Sequence, residues 1–336
     1  MNSIKYLIMK NIFDKSNFGN LKLNSRIIRT GLWNTEKFND LYKRYEKIAS
    51  SGVGLIITEI MALHTKDKFS EYAFKIDHPN FVGECKQLAK ISHKYNVPIF
   101  GQVEFVKYNR GIDLDIDIND LTIDDIRKIQ TDLIIAAKKL SFADFDGIQL
   151  ALGNNFYLSK FINPYFNQRD DEYGGNTYNR MKIVLETIKV IKNTTNLHVN
   201  CRINAFDRRK GGIDKKESLE ISKLLEKYGA DSIQVTRPLS PIYFTKENKE
   251  NELLDFTKEL VKTIDIPVIL GGGFNDMEYM NNLLNTSDIG YLSMYRPFIA
   301  EKNFLKTWKR DGFGVSRCKM CNNCYRTKTS TCYHYE

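Results

Sequence analysis

The chain has 336 residues, which suits two domains or one β/α barrel of roughly 250 residues with additions. Hydrophobic residues make up 42% of it, enough for a large core, and no apolar run approaches the length of about 18 residues that a membrane span needs. The net charge of +9 comes from basic side chains scattered along the chain, which argues against a nucleic-acid groove and leaves a small molecule as the expected partner.

The cysteines and the amino-terminal segment indicate a cytoplasmic protein. Of six cysteines, Cys85 and Cys201 lie in apolar contexts typical of a core, and four cluster in the last nineteen residues. Free thiols with a clustered quartet favour a reducing compartment over a disulfide scaffold. The apolar stretch 4–13 is interrupted by Lys5 and Lys10 and lacks a small-residue cleavage site, so we expect no secretion signal. A homo-oligomer is compatible with this composition.

Eight strand-like runs alternate with eight amphipathic stretches along the chain. The predicted strands are Ile27–Trp33, Val53–Glu59, Pro98–Val103, Gly147–Leu152, His198–Arg202, Ser232–Thr236, Pro267–Leu270 and Ile289–Met294. The predicted helices are Glu36–Ala49, Asn80–Tyr95, Thr122–Lys139, Thr177–Lys192, Lys216–Tyr228, Asn251–Ile264, Asp276–Leu284 and Lys302–Trp308. The strands are interpreted as apolar on both faces, as in a buried parallel sheet.

This strict alternation predicts an α/β fold, a TIM (β/α)8 barrel, over an open doubly wound sheet. Thr122 followed by Asp125 is typical of an N-terminal capping arrangement on the third helix. We expect the barrel to occupy residues 1–314 and a Cys-rich tail to occupy residues 315–336.

The most informative stretch follows the predicted strand Gly147–Leu152. That strand ends in Gly153-Asn154-Asn155 and leads into a loop rich in Asn, Arg, Asp and Tyr before the next helix. Such a loop at the carboxyl end of a strand is how a β/α barrel builds a site. The stretch resembles the old yellow enzyme family of FMN-dependent NAD(P)H oxidoreductases. The matching residues are Phe145-Asp146-Gly147, Leu158 to Phe161, Asn163-Pro164, Asn167, Arg169, Asp171 to Gly175 and Asn179-Arg180.

The resemblance implies that FMN is the cofactor and NAD(P)H the reductant. Gln102 ends a strand with an amide that suits the pyrimidine edge of a flavin, and Arg202 offers a fixed cation for the reduced form. Phosphate binding is expected at Gly272 and Gly273 and at Tyr295-Arg296, after the last two strands. By resemblance, further residues line the flavin: Gly31, Leu32, Trp33 and Ile60. The family usually has Gly where this chain has Tyr295.

The substrate site departs from the family pattern. Family members place a His, a His or Asn three residues on, and a proton-donating Tyr two residues further; the aligned residues here are Ala151, Asn154 and Phe156. Alanine cannot hydrogen-bond a carbonyl group and phenylalanine cannot donate a proton, so only Asn154 is retained as an anchor. Tyr157 and Tyr108 are candidate replacements for the phenol, and His64 is a further candidate near the site. We therefore predict an atypical electron-poor acceptor.

The tail spacing Cys318-x2-Cys321-x2-Cys324-x7-Cys332 is a strong metal-ligand pattern. By resemblance to the multidomain branch of the family it would hold a [4Fe–4S] cluster, although the last gap is wider in that branch. Zinc held by four thiolates and unligated thiols are equally open interpretations.

Two other functions compete with an FMN oxidoreductase. A flavin-binding protein with lost or altered catalysis, acting as a carrier or partner subunit, would explain Ala151 and Phe156. A tRNA dihydrouridine synthase is also an FMN barrel, but no suitable catalytic Cys follows the third predicted strand.

Overall fold

A closed parallel barrel of eight strands forms the centre of the protein. The computed structural model describes residues 9–31, 37–64, 72–105, 117–154, 156–207, 209–236, 249–325 and 331–335. The barrel strands are β3 (Ile27–Arg29), β4 (Leu55–Ala62), β5 (Ile99–Glu104), β6 (Gly147–Leu152), β7 (His198–Asn204), β8 (Ser232–Thr236), β9 (Val268–Gly271) and β10 (Tyr291–Met294). Each strand pairs in parallel with the next, and β10 pairs with β3 to close the ring. The predicted TIM barrel is therefore confirmed.

Helices follow the strands and cover the barrel. They are α1 (Phe38–Ala49), α2 (Phe81–His93), α3 (Ile123–Phe142), α4 (Tyr157–Ile162), α5 (Thr177–Thr194), α6 (Lys215–Lys227), α7 (Lys249–Leu260), α8 (Met277–Thr286), α9 (Arg296–Ala300) and α10 (Phe304–Asp311). The capping box predicted at Thr122 and Asp125 is present at the start of α3. Among the described helices, none has both the length and the apolar character needed to cross a membrane.

The inner face of the barrel is partly polar, so the expectation of strands that are apolar on both faces is wrong for β6, β7 and β8. Gln149 of β6 donates hydrogen bonds from Nε2 to Asn200 Oδ1 of β7 at 2.6 Å and to Gln234 Oε1 of β8 at 2.8 Å. Gln234 Nε2 in turn donates to Ser293 Oγ of β10 at 2.8 Å. These four side chains, which we call the interior polar ladder, are fully buried. Mutual hydrogen bonding offsets the cost of their burial, although Gln149 Oε1 has no partner within the described part of the chain.

A hairpin closes the amino-terminal end of the barrel. Its strands, β1 (Ser16–Phe18) and β2 (Leu21–Leu23), are antiparallel. The Phe18 ring stacks on His198 with centroids 4.9 Å apart and meets Tyr291 edge-on at 4.8 Å. Because this end is filled by aromatic rings, the carboxyl ends of the strands are the side of the barrel left for a site.

The beginning of the Cys-rich tail is docked on the barrel. The backbone N–H of Met277 donates to the carbonyl of Gly314 at 2.9 Å, and that of Ser316 donates to the carbonyl of Asn275 at 2.7 Å. Asp276 and Val315 form an antiparallel bridge between these two bonds. The segment after the last helix thus lies against the loop that joins β9 to α8.

Candidate active site

Gln102 and Arg202 meet at the carboxyl ends of β5 and β7. Arg202 Nη1 donates to Gln102 Oε1 at 3.1 Å, and Arg202 Nε donates to Thr236 Oγ1 at 3.4 Å. Both side chains are buried. The sequence predicted this amide and this guanidinium as separate flavin contacts, and the structure brings them together across the barrel.

The Gln102 amide is fixed by backbone groups of the first two barrel strands. Its Nε2 donates to the carbonyls of Gly31 at 3.2 Å and Thr58 at 3.1 Å. A Cβ on Gly31 would lie 2.5 Å from the backbone nitrogen of Glu59, so only glycine permits this close approach. The amide therefore cannot rotate freely, and its orientation is set before any ligand binds. Leu32 and Trp33, predicted alongside Gly31, lie outside the described residues.

The predicted phosphate-binding glycines have the backbone conformation that such a role needs. Gly272 and Gly273 have φ values of 82° and 84°, and a Cβ on Gly272 would meet nothing within 4 Å. The preceding Gly271 has no such room, because a Cβ there would lie 2.6 Å from the carbonyl oxygen of Val235. The backbone N–H of Gly272 already donates to the carbonyl of Ser293 at 3.0 Å, so the predicted anion contact depends on the N–H of Gly273.

Arg296, the second part of the predicted phosphate site, is the first residue of α9 and contacts the tail. Its Nη1 donates to Asn322 Oδ1 at 2.6 Å and approaches the carbonyl oxygen of Met320 at 3.5 Å. Tyr295 just before it is buried, and its ring lies 5.8 Å from the Arg29 guanidinium. The tail is therefore held against the residue predicted to bind the FMN phosphate.

The two residues that depart from the family pattern form one apolar surface. Ala151 of β6 and Phe156 cluster with Ile60 of β4, and all three are buried. We call this cluster the apolar wall. Ala151 and Phe156, which stand where the family has His and Tyr, therefore contact the same cluster. Ile60, a predicted flavin contact, belongs to that cluster as well.

The remaining predicted substrate residues differ in placement. Asn154 lies at the end of β6 with a left-handed φ of 63°, and its backbone N–H donates to Asn204 Oδ1 at 3.2 Å. Tyr157 is almost fully buried, with ring centroids 5.7 Å from Phe105 and 6.5 Å from Phe161. Asn154 therefore lies against the end of β7, whereas Tyr157 packs in the core. Tyr108 lies outside the described residues.

His64 is oriented by two carboxylates. Its Nε2 lies 3.4 Å from Asp132 of α3, and its Nδ1 lies 3.9 Å from Asp77. These contacts direct the ring toward the outer layer of helices, away from the Gln102–Arg202 pair. A substrate role for His64 gains nothing from this placement.

A buried ionic cluster that the sequence did not reveal lies between the barrel and α1. Glu59 of β4 accepts hydrogen bonds from Arg29 of β3, from Arg44 of α1 at 2.8 Å and from the hydroxyl of Tyr45. Burial alone would raise the pKa of Glu59, but the two guanidiniums outweigh burial and hold it well below its usual range. Burial and the Glu59 carboxylate raise the pKa of Tyr45, so its hydroxyl stays protonated.

The tail cysteines lie near one another and near Arg296. Burial raises the pKa of Cys324 to about 11, and the Arg296 guanidinium opposes that rise. Cys318 is also buried, and the thiols of Cys321 and Cys332 lie close enough to contribute to its raised pKa. Within the described part of the chain, however, no group of three or more His, Cys, Asp or Glu side chains is arranged to hold a metal ion.

The fold and the strand-end residues define a TIM-barrel protein with its site at the carboxyl ends of the strands. Residues 113–311 match the NADH:flavin oxidoreductase / NADH oxidase family, and the chain belongs to this family, that of old yellow enzyme. This is the family that the sequence pattern predicted.

Individual relatives are distant. The chain is 25% identical over 343 residues to the NADH oxidase of Thermoanaerobacter brockii, a match that covers 93% of this chain and 53% of that protein. Its structure resembles that of a 2-naphthoyl-CoA reductase with a TM-score of 0.81 at 18% identity, covering 94% of this chain and 54% of the other. The old yellow enzyme homologue from Zymomonas mobilis matches with a TM-score of 0.76 at 20% identity, and the match covers 97% of this chain and 98% of that one. The chain thus spans about half the length of the first two.

Proposed function

We propose that this protein binds FMN at the carboxyl end of its barrel and uses NAD(P)H to reduce an acceptor that is not an ordinary enone. The observation that carries the proposal is the buried contact between Gln102 and Arg202, 3.1 Å across the barrel, beside the Ile60–Ala151–Phe156 wall. The pair supports flavin binding, and the wall supports an unusual acceptor.

The residues present fit FMN. Gln102 has its amide fixed for the pyrimidine edge, and Arg202 lies beside it as a buried cation. Bound FMN would supply hydride transfer at N5, and a guanidinium at its pyrimidine edge stabilises the negative charge of the reduced form. Gly273 would offer its backbone N–H group to the phosphate, since that of Gly272 already donates to Ser293, and Arg296 would add a charged donor.

The acceptor is argued from what the apolar wall cannot do. Reduction of an enone needs hydrogen bonds to the carbonyl oxygen and a proton for the neighbouring carbon. Asn154 remains as one anchor, but Ala151 cannot supply the second hydrogen bond and Phe156 cannot supply the proton. Acceptance of hydride from NAD(P)H needs neither group. The site therefore suits an acceptor that takes its protons from water, such as a quinone or dioxygen. The name of the Thermoanaerobacter brockii relative, an NADH oxidase, supports this assignment.

The experiment is a visible spectrum of the purified protein before and after anaerobic addition of NADH or NADPH, followed by turnover with three acceptors. We expect a flavin spectrum that is bleached by at least one nicotinamide, and faster turnover with menadione or dioxygen than with cyclohexenone. Cyclohexenone reduction that outpaces both other acceptors would overturn the acceptor assignment. A protein that stays colourless when incubated with FMN would overturn the whole proposal.

A flavin-binding protein without turnover is the second candidate, and the loss of the family's His and Tyr favours it. It would also give a flavin spectrum, so the spectrum alone does not separate the two. Addition of nicotinamide does, because a carrier or partner subunit that has lost catalysis keeps its oxidised spectrum with both NADH and NADPH.

The described residues form no arranged metal site, and both the iron–sulfur cluster and the zinc ion stay predictions. What speaks for them is the proximity of Cys318, Cys321, Cys324 and Cys332. Iron, zinc and acid-labile sulfide analysis of anaerobically purified protein decides among a cluster, zinc and free thiols. A cytoplasmic location and a homo-oligomer likewise stay predictions.

A further inference from the structure

A second cavity, separate from the Gln102–Arg202 pair, lies between α1, α9, α10 and the end of the tail. Its volume is about 360 Å³, within the range of small-molecule sites. Its lining includes neither Arg296 nor Gly272 and Gly273. The cavity is therefore not the predicted phosphate site of FMN, although Tyr295 borders it.

The charge of the lining is strongly positive. Five basic side chains line the cavity, with only two acidic ones, Asp40 and Glu301. Asp40 is paired with Lys43, whose Nζ lies 3.5 Å from Asp40 Oδ1, and Glu301 Oε2 accepts the backbone N–H of Arg317 at 2.9 Å. The remaining positive charges of the lining are those of Arg29, Arg44, Lys47 and Lys302. Like charges facing one cavity repel one another, and an anionic ligand would relieve that repulsion.

The inner wall of the cavity carries a buried excess of positive charge. Arg29 and Arg44 both line it and share the single Glu59 carboxylate behind them. Arg29 is only 1% exposed, and its Nε–H has no acceptor within the part of the chain that the structure describes. A buried guanidinium with an unused donor, at the wall of a cation-lined cavity, points to an anion as its missing partner.

Another part of the cavity wall is apolar. Phe298, Ile299 and Phe304 line it, and residues 331, 332 and 335 of the tail border the space. A ligand that fits both walls has a compact anionic group and an apolar body. Phosphate is an anionic group whose several oxygen atoms can accept hydrogen bonds from arginine and lysine at once.

We propose that this cavity is a binding site for an organic phosphate, with the phosphate against Arg29, Arg44 and Lys47 and the apolar part against Phe298 and Phe304. Lys47 of α1 and Lys302 before α10 both line the cavity and have exposed side chains that a ligand can reach. The proposal does not depend on the acceptor or on the reductant of the flavin site.

The test measures pyrophosphate binding by isothermal titration calorimetry on the protein as purified, saturated with FMN where it binds FMN. The first variant is the double change Lys47→Glu and Lys302→Glu. The matched control is Lys86→Glu with Lys223→Glu, which changes net charge equally at two exposed lysines of α2 and α6 that do not line the cavity. A second variant, Lys47→Gln with Lys302→Gln, removes the charges without reversing them.

We expect the wild type and the control to bind pyrophosphate alike, and the charge-reversed variant to bind at least about tenfold more weakly. The glutamine variant should fall between them, and the flavin spectrum should not change during the titration. Equal weakening in the variant and the control would show only general attraction to a basic protein and would overturn the proposal. So would release of FMN by pyrophosphate, or no binding by the wild type. A colourless protein that still binds pyrophosphate would refute the flavin proposal alone.

Discussion

Glu59→Gln tests whether the buried ionic cluster stabilises the barrel. The substitution keeps the size of the side chain but removes the charge that Arg29 and Arg44 share, and Glu59 is completely buried. Removing one partner of a buried ion pair costs about 3–5 kcal/mol because the other charge is left uncompensated. With an unfolding entropy of about 2.1 cal/mol/K per residue, the 336 residues give about 0.7 kcal/mol/K, so the melting temperature should fall by about 4–7 °C.

The assay is thermal unfolding followed by circular dichroism, and the control is Glu46→Gln. Glu46 on the same helix as Arg44 pairs with Lys94 at 2.8 Å, but both side chains are largely exposed, so no resolvable change is expected. The pKa of Glu59 is depressed, so its stabilisation is present above the ordinary glutamate value of 4.5 and is lost only as the pH falls below it. The fall in melting temperature of Glu59→Gln relative to the wild type should therefore be the same at pH 7.5 and at pH 5.5. If Glu59→Gln melts together with the wild type and with Glu46→Gln, the cluster contributes no stability and the reasoning is wrong.

Three further changes test the site and the barrel interior. Arg202→Ala should slow reduction of bound FMN by NAD(P)H by about 10²–10³-fold because the cation at the flavin edge is lost, and Arg202→Lys should slow it less because the cation is only displaced. Stopped-flow bleaching of the flavin measures this rate. An unchanged rate in Arg202→Ala would contradict the assignment. Phe156→Tyr should raise the rate of cyclohexenone reduction by about 10²-fold or more because it restores a phenol beside Ala151. Tyr157→Phe should leave the turnover rate with every acceptor unchanged. Lost turnover in Tyr157→Phe would instead identify Tyr157 as the proton donor. Burial lowers the pKa of His198 to about 4, so its stabilising effect is complete above its unfolded value of 6.5 and is lost as the pH falls toward 4. Between pH 7 and pH 5 the wild type should therefore lose about 2 kcal/mol more stability than His198→Gln in urea unfolding, and parallel losses would show that His198 does not titrate as expected.

The architecture could be predicted from the sequence because each strand and helix carries its own period. The alternation of eight strands with amphipathic helices is local information, and helix starts such as Thr122–Asp125 are written in adjacent residues. The pairing of Gln102 with Arg202 follows once both residues are assigned to strand ends, since parallel strands of a barrel end at one rim.

The ionic cluster could not be predicted because it depends on a defect in strand β4. Strict alternation would place Ile57 and Glu59 on the same face, but the register shifts between Ile57 and Ile60. Ile57 packs inside the barrel with Phe100, and after the shift Ile60 faces inward to join Ala151. Glu59 is thereby turned outward to Tyr45 of α1. A sequence pattern gives no signal for a shift of this kind.

The polar inner face escaped prediction for a different reason. Gln149 and Gln234 are separated by 85 positions in the chain, and they meet only because β6 and β8, on either side of β7, both face the barrel interior. Read singly, each is an isolated polar residue in an otherwise apolar strand. Each of them can be buried only because a distant residue accepts or donates its hydrogen bond, and the periodicity of the sequence does not reveal that residue.

The interior polar ladder makes the barrel an indivisible unit of assembly. A chain divided between β6 and β7 would separate Gln149 from both Asn200 and Gln234, and a chain lacking β10 would deprive Gln234 of Ser293. Each buried amide without its hydrogen-bond partner would lower the stability of the fragment by about 1–3 kcal/mol. Half-barrel fragments should consequently be unstable. The buried amide groups obtain their hydrogen-bond partners only when the barrel closes.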